Sequence, residues 1–547
     1  MTTTDTPPTD GRSAARTAGA DGDRPGVRGT LLVADRVVTL GHGRYQARCV
    51  LVRGRRVVWV GDDPALAPPH ASVVDLSGCA LGPGFVDAHV HLTPTGITLG
   101  GLDVRGLRTG EEVLTAVRLY AEQHPGRVVW GHGWDEHALR GPLPTPAALS
   151  EATGGRPLYL SRVDGHSCLV DLATLDAAPL ARVRGVERDA DGVPTGVLKL
   201  EADRIARRWA VGAMSEADLE EARQRVARRA ASLGIVSVHE MNGPDLMGAS
   251  DFDAWRFGTY PVEVVPYWGG LDLGFVAERD LKHVGGDLYL DGTIGSRTAA
   301  LGEPYADADH SGQLEFDDDT LTELFLEATH AGIQVAVHAI GDEALRQLVR
   351  CWQAVEAALP DYLEGAVRRL HHRVEHAEVV PVDLYDDLAA LGLVVSCQPA
   401  FEAIWGGEGG LYEARLGAER AAATNPLRAL ADRGVGLALG SDANVTPMDP
   451  WGAIHAAQHR RHPEHGIDRL EAVSGHTLGG RNAARQEHYV GVVRAGMRAD
   501  LAVFEGDPYA ADDPRGARCV LTVLGGRVTH GLEVVPGTPL GLLPDEA

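Results

Sequence analysis

Pro83-Gly84-Phe85-Val86-Asp87-Ala88-His89-Val90-His91-Leu92 sets two histidines at i and i+2 in an apolar run. Alternate side chains of a β-strand share a face, so His89 and His91 present both imidazoles to one point. Two imidazoles converging at a strand end make half of a metal site. Taken alone, the pair also fits two polar residues leaving a strand. The rest of the chain decides between these readings.

Working outward, three later strand-like runs also end in donor residues. Val335-Ala336-Val337 closes on His338, Arg373-Val374-Glu375 on His376, and Val435-Gly436-Leu437-Ala438-Leu439-Gly440-Ser441 on Asp442. Apolar runs alternate with amphipathic helical stretches, such as Glu216 to Leu233 and Leu321 to Ala331. That alternation predicts an α/β fold, a (β/α)8 TIM-like barrel over residues 83–489. In such a barrel the carboxyl ends of the strands gather at one mouth, where distant residues meet. Four imidazoles (His89, His91, His338, His376) and the Asp442 carboxylate suit Zn²⁺ or another divalent transition metal better than Ca²⁺ or Mg²⁺. Short β-like runs with Gly and Arg turns occupy both ends of the chain. They predict a small β-sandwich domain assembled from residues 29–82 and 490–535.

The net charge of -25 over 547 residues argues against nucleic acid or an anionic membrane as partner, since both favour a basic face. Six scattered cysteines without a C-x-x-C fit a reduced compartment. Residues 1–28, rich in Thr, Pro, Asp, Gly and Arg, read as a disordered tail without the apolar stretch of a signal peptide. No window approaches the roughly 20 apolar residues of a membrane span. A cytoplasmic protein acting on a small molecule, with a homodimer as the usual soluble assembly, is the expectation.

The motifs resemble the amidohydrolase superfamily, in the branch that includes N-substituted formamide deformylases. The resemblance runs from about residue 30 to 530. Beyond the candidate ligands it rests on Gly131-His132-Gly133-Trp134-Asp135-Glu136, Asp164-Gly165-His166-Ser167 and Gly234-Ile235-Val236-Ser237-Val238-His239-Glu240. Leu290-Asp291-Gly292 with its continuation to Leu301, Ser396-Cys397-Gln398-Pro399 and Gly496-Met497-Arg498-Ala499-Asp500-Leu501 extend it. One departure stands out. Four residues before its Asp-Gly pair the family carries a carboxylated lysine that bridges two metals. Here that position is Asp287, which has a much shorter stem. Three roles are open to it: ligand to one metal, a closer bridge between two, or hydrogen-bond acceptor.

The resemblance implies hydrolysis of a carbon–nitrogen bond by a metal-activated water, with one or two Zn²⁺ ions. Asp442 is the expected general base and acid, and the metal, or a neighbouring imidazole such as His166 or His239, polarises the substrate carbonyl; His166 also suits an ordinary loop, and His239, at a strand end, also suits support of the metal ligands. Arg297, Trp134 and Trp405 are candidate substrate contacts, although Arg297 also suits an ion pair and either tryptophan suits the core. The leading expectation is cleavage of a linear amide or N-substituted formamide. A mononuclear deaminase or cyclic amidase of a heterocycle is the alternative, and a catalytically silent ligand-binding barrel a third.

Overall fold

The structure is a computed structural model that describes residues 29–531 and 533, apart from 42–43, 136–138, 163–166, 181–182 and 245. The tail expected over residues 1–28 and the candidate His166 lie outside the described residues.

Eight strands follow the apolar runs of the sequence: β1 Phe85–Val90, β2 Ile235–Asn242, β3 Glu263–Trp268, β4 His283–Tyr289, β5 Gln334–Ala339, β6 Arg373–His376, β7 Val394–Cys397 and β8 Gly436–Leu439. All their pairings are parallel, in one three-strand sheet (β3-β2-β1) and one five-strand sheet (β4-β5-β6-β7-β8). The sheets join where the chain leaves β8. There the Asp442 amide donates to the His89 carbonyl at 2.8 Å and the His91 amide to that of Ala443 at 2.6 Å. At the other seam the His283 ring reaches the Pro266 carbonyl at 2.6 Å, and no ladder joins β3 to β4 among the described residues.

The helices between the strands start where polar caps allow. Ser215 and Asp218 form a reciprocal capping box at the head of Glu216–Ser232. The buried Ala222, Val226, Ala227, Ala230 and Ala231 of that helix face inward. Asp318–His330 begins before Leu321 because Asp317 accepts from the Thr320 amide.

Strands from the two chain ends pair in one sheet. Ser72–Pro83 pairs in parallel with Thr30–Gly41 and antiparallel with Leu501–Glu505. All seven strands there form one continuous sheet rather than the two facing sheets of the expected sandwich. One face builds its own apolar core, including Leu32, Val50, Leu81, Val503 and Leu521, while Ala502 and Phe504 join the main core.

A third unit went unread in the sequence. Between Leu102 and Lys199, inside the span assigned to the barrel, the chain forms a six-strand mixed sheet with apolar cores of its own. The six cysteines are unpaired. Among the described residues no helix is long and apolar enough to cross a membrane.

Candidate metal centre

The carboxyl ends of β1, β4, β5, β6 and β8 bring all six proposed ligands together. His91 Nε2 lies 3.1 Å from Asp287 Oδ2 and 3.2 Å from Asp442 Oδ1. His89 Nε2 is 3.6 Å from Asp287 Oδ1 and 3.7 Å from Asp442 Oδ1. His338 Nδ1 approaches Asp287 Oδ1 at 3.8 Å, and the His376 ring packs at 4.4 Å from that of His338 and 4.8 Å from that of His89. Ligand atoms of His89, His91 and Asp442 lie within reach of one ion, as do those of His89, Asp287 and His376.

Asp287 reaches this centre because of the glycines before it. Gly285 and Gly286 have φ of +91° and +93°. A Cβ on Gly285 would stand 1.8 Å from the Ala336 carbonyl oxygen. Only glycine lets β4 lie that close to β5 in this conformation, and the register between the two strands shifts over Gly285–Tyr289. The carboxylate is thereby carried inward.

Each imidazole is turned by a second partner. His89 Nδ1 meets Glu375 Oε2 at 2.9 Å, His91 Nδ1 the Met241 carbonyl at 2.9 Å, and His376 Nδ1 the Gln398 Oε1 at 2.8 Å. The opposite nitrogens of these rings are free to face the centre, the usual arrangement of metal-binding histidines. The buried nitrogens His89 Nε2 and His338 Nδ1 make no hydrogen bond, and Asp442 Oδ1 meets only the imidazoles of His91 and His89. Such atoms are costly unless a ligand completes them. Nitrogen and carboxylate donors in this mixture fit a divalent transition metal.

The electrostatics point the same way. Burial works against the charge of Asp287, yet His91, His338 and His89 hold its carboxyl well below the usual carboxylate range. Burial likewise opposes protonation of His91, but Asp287 and Asp442 raise it well above an ordinary histidine. Burial, with His338 and His89 alongside, keeps His376 neutral by pushing it well below that value. The protons held between these groups are what a bound cation displaces.

Several candidate residues take other places. His239 was expected at a strand end, but β2 runs on to Asn242 and leaves it fully buried. Its Nδ1 accepts from Arg373 Nη1 at 2.7 Å, and its buried Nε2 makes no hydrogen bond. Trp134 is core: its indole donates to the Leu160 carbonyl at 2.8 Å within the six-strand sheet. Arg297 grips Asp307 with two nitrogens, at 2.9 and 2.7 Å, and is not held as a free substrate anchor. Trp405 stands one layer out, packed on Phe401, and it is Phe401 that stacks on His376.

Four residues at the centre were missed. Glu375 and Arg373 alternate on β6, so both face inward; that i, i+2 charge pair beside His376 was the available signal. Gln398 lies in a quoted motif whose role was unassigned. Tyr289 is two residues beyond Asp287; its hydroxyl donates to Asp287 Oδ2 at 3.2 Å and its ring packs on His338, with 41% of the residue exposed at the mouth.

A profile of the amidohydrolase family matches residues 72–530, and the chain belongs to that family of metal-dependent hydrolases. It is a hydrolytic enzyme acting on carbon–nitrogen bonds. It is 29% identical over 486 residues to the Bacillus subtilis protein named amidohydrolase YtcJ, covering 81% of this chain and 87% of that protein. The N-substituted formamide deformylase of Arthrobacter pascens is 24% identical, over 88% of this chain and 94% of that enzyme. Among solved structures, a metal-dependent hydrolase of Pyrococcus furiosus superposes with a TM-score of 0.72 at 25% identity, covering 88% of this chain and 100% of that one.

Proposed function

We propose that the chain hydrolyses a linear carbon–nitrogen bond, in an amide or N-substituted formamide, at a two-metal centre in the mouth of a (β/α)8 barrel. The observation that carries this reading is the position of Asp287, whose two oxygens face His91 on one side and His89 and His338 on the other. Six donors exceed the three or four protein ligands that one Zn²⁺ takes. Zinc is the ion the donor set favours. When bound, such an ion makes a water nucleophilic near neutral pH and polarises a carbonyl oxygen.

The protein's own groups account for the rest. Asp442 Oδ1 faces the centre, 3.2 Å from His91 Nε2. It accepts the proton of the attacking water and returns it to the departing nitrogen, so the amine leaves neutral. Tyr289, partly exposed above Asp287, offers a wall to the substrate. The convergence of four imidazoles and two carboxylates on one point is what argues against a silent barrel.

Product analysis tests the proposal. The zinc-loaded protein incubated with N-substituted formamides and N-acyl amines is expected to release the amine and formate or another carboxylate. Ammonia release from amino-heterocycles, with no amine from any amide, would replace this reading with the deaminase one.

A further inference from the structure

Large apolar side chains stand exposed in the segments that leave β3, β4, β7 and β8. They are Leu271 after β3 (43% exposed), Tyr289 at the end of β4, Ile404 on the helix Pro399–Trp405 after β7 (53%) and Val445 three residues beyond Asp442 (51%). Single exposed apolar residues are ordinary on a protein surface; four in the segments at one end of the parallel strands form a group. The charged side chains of the same segments are engaged elsewhere. Asp272 accepts from the Phe275 amide at 3.2 Å and starts a helix. Glu402 is buried, faces Arg460 at 3.8 Å and accepts from the Arg461 amide at 3.3 Å. Further along, Arg297 is closed by Asp307.

The helix Pro399–Trp405 gives this group a direction. Phe401 is buried and stacks on His376, with the rings 5.9 Å apart and 13° from parallel. Residues three apart share a helix face, so Ile404 stands one turn on from Phe401, while Glu402 leaves the opposite side of the helix towards Arg460. β7 and β8 are neighbours, and the Val445 amide donates to the Asp442 carbonyl at 2.7 Å. Ile404 and Val445 therefore stand on the Asp442 side of the centre. In the hydrolysis proposed above, Asp442 returns a proton to the departing nitrogen, which puts that nitrogen and whatever it carries on this side. A charged group there would lose its hydration without gaining a partner.

We propose that the substrate is an uncharged amide whose nitrogen carries a bulky apolar substituent, and that Ile404 and Val445, over a floor made by Phe401, select it. The inference rests on the amide-hydrolysis reading and deepens it by naming the amine half of the substrate.

Two readouts on one series of compounds test this. The series is N-methyl-, N-propyl-, N-butyl- and N-hexylformamide, with N-carboxymethyl- and N-(2-aminoethyl)formamide as its charged members. Steady-state kinetics of the zinc-loaded full-length protein are expected to show kcat/KM rising ~2–4-fold per added CH₂, chiefly through KM, with the charged members at least ~10-fold poorer than uncharged ones of similar size. Calorimetric titration of the series into metal-free protein is expected to give the same order of affinity without turnover. Ile404→Ser combined with Val445→Ser changes two half-exposed side chains, and is expected to lower kcat/KM for the N-hexyl compound ~3-fold or more beyond its effect on the N-methyl one. A flat series, a preference for the charged members, or a double variant that slows both compounds equally overturns the inference. No amine from any member, with the calorimetric order intact, supports the apolar pocket and overturns the hydrolysis reading instead.

Discussion

Two ends of the same strands bury charge in opposite ways. At the amino end, where the seven-strand sheet meets the eight strands, Arg481 donates to Glu263 at 2.6 Å and to Asp500 at 2.9 Å. Arg498 donates to Asp500 at 2.9 Å and to Glu263, and the Gly525 amide completes Asp500 at 2.8 Å. Each of these four charged side chains has a partner of opposite sign. At the carboxyl end, His89 and His338 each keep a buried nitrogen that makes no hydrogen bond, and Asp442 Oδ1 meets only the imidazoles of His91 and His89. A closed network holds two parts of a fold together, whereas an open one waits for something the chain does not supply. Burial alone does not distinguish the two; satisfaction of the hydrogen bonds does.

The comparison is broken hardest by Asp442→Asn. It removes the base from the open end and is expected to lower kcat about 10³-fold or more, with the melting temperature close to wild type. A large loss of stability instead would make Asp442 a member of a structural network. Arg481→Met does the converse. It leaves Arg498 as the one remaining cation on Glu263 and Asp500 and is expected to cost ~1–3 kcal/mol in denaturant unfolding, with metal binding retained by the folded fraction.

Acid sharpens the contrast next. Burial works against the charge of Glu263, but Arg481 and Arg498 outweigh it and lower its carboxyl from the ordinary 4.5 to about 2. A depressed carboxyl contributes stability above its unfolded pKa and loses it as pH falls through the folded one. The seam is therefore expected to lose on the order of 1–3 kcal/mol between pH 4.5 and 2. Glu263→Gln should flatten that part of the stability profile; an unchanged profile would take the seam out of the acid response. The smallest effect is expected of Arg297→Ala. Arg297 is tied to Asp307 at the surface, and its loss should leave kcat/KM and melting temperature unaltered. A marked rise in KM would return it to the substrate.

The legible part of the molecule was the part governed by strand periodicity. His89, His91, His338, His376 and Asp442 could be read because each ends an apolar run, and parallel strands deliver such ends to one place. Asp287 was visible only by its position in a motif; its inward reach depends on the Gly285–Gly286 pair and the close approach to Ala336, a tertiary condition. Trp134, Arg297 and Trp405 lie on the six-strand sheet, in the loop after β4 and on the helix after β7. For these the sequence gives residue type but not direction, and partners distant in sequence decide it: Leu160, Asp307 and Phe401. The six-strand sheet was missed because its strands follow the same apolar texture as the eight parallel strands and lie between helices, so periodicity alone assigns them to one array.

Metal content per chain, measured on protein purified without added metal or chelator and again after reconstitution with Zn²⁺, tests the central claim most directly. Two equivalents per chain are expected, because Asp287 stands between two donor groups. A single equivalent, or none after reconstitution, would contradict the two-metal centre.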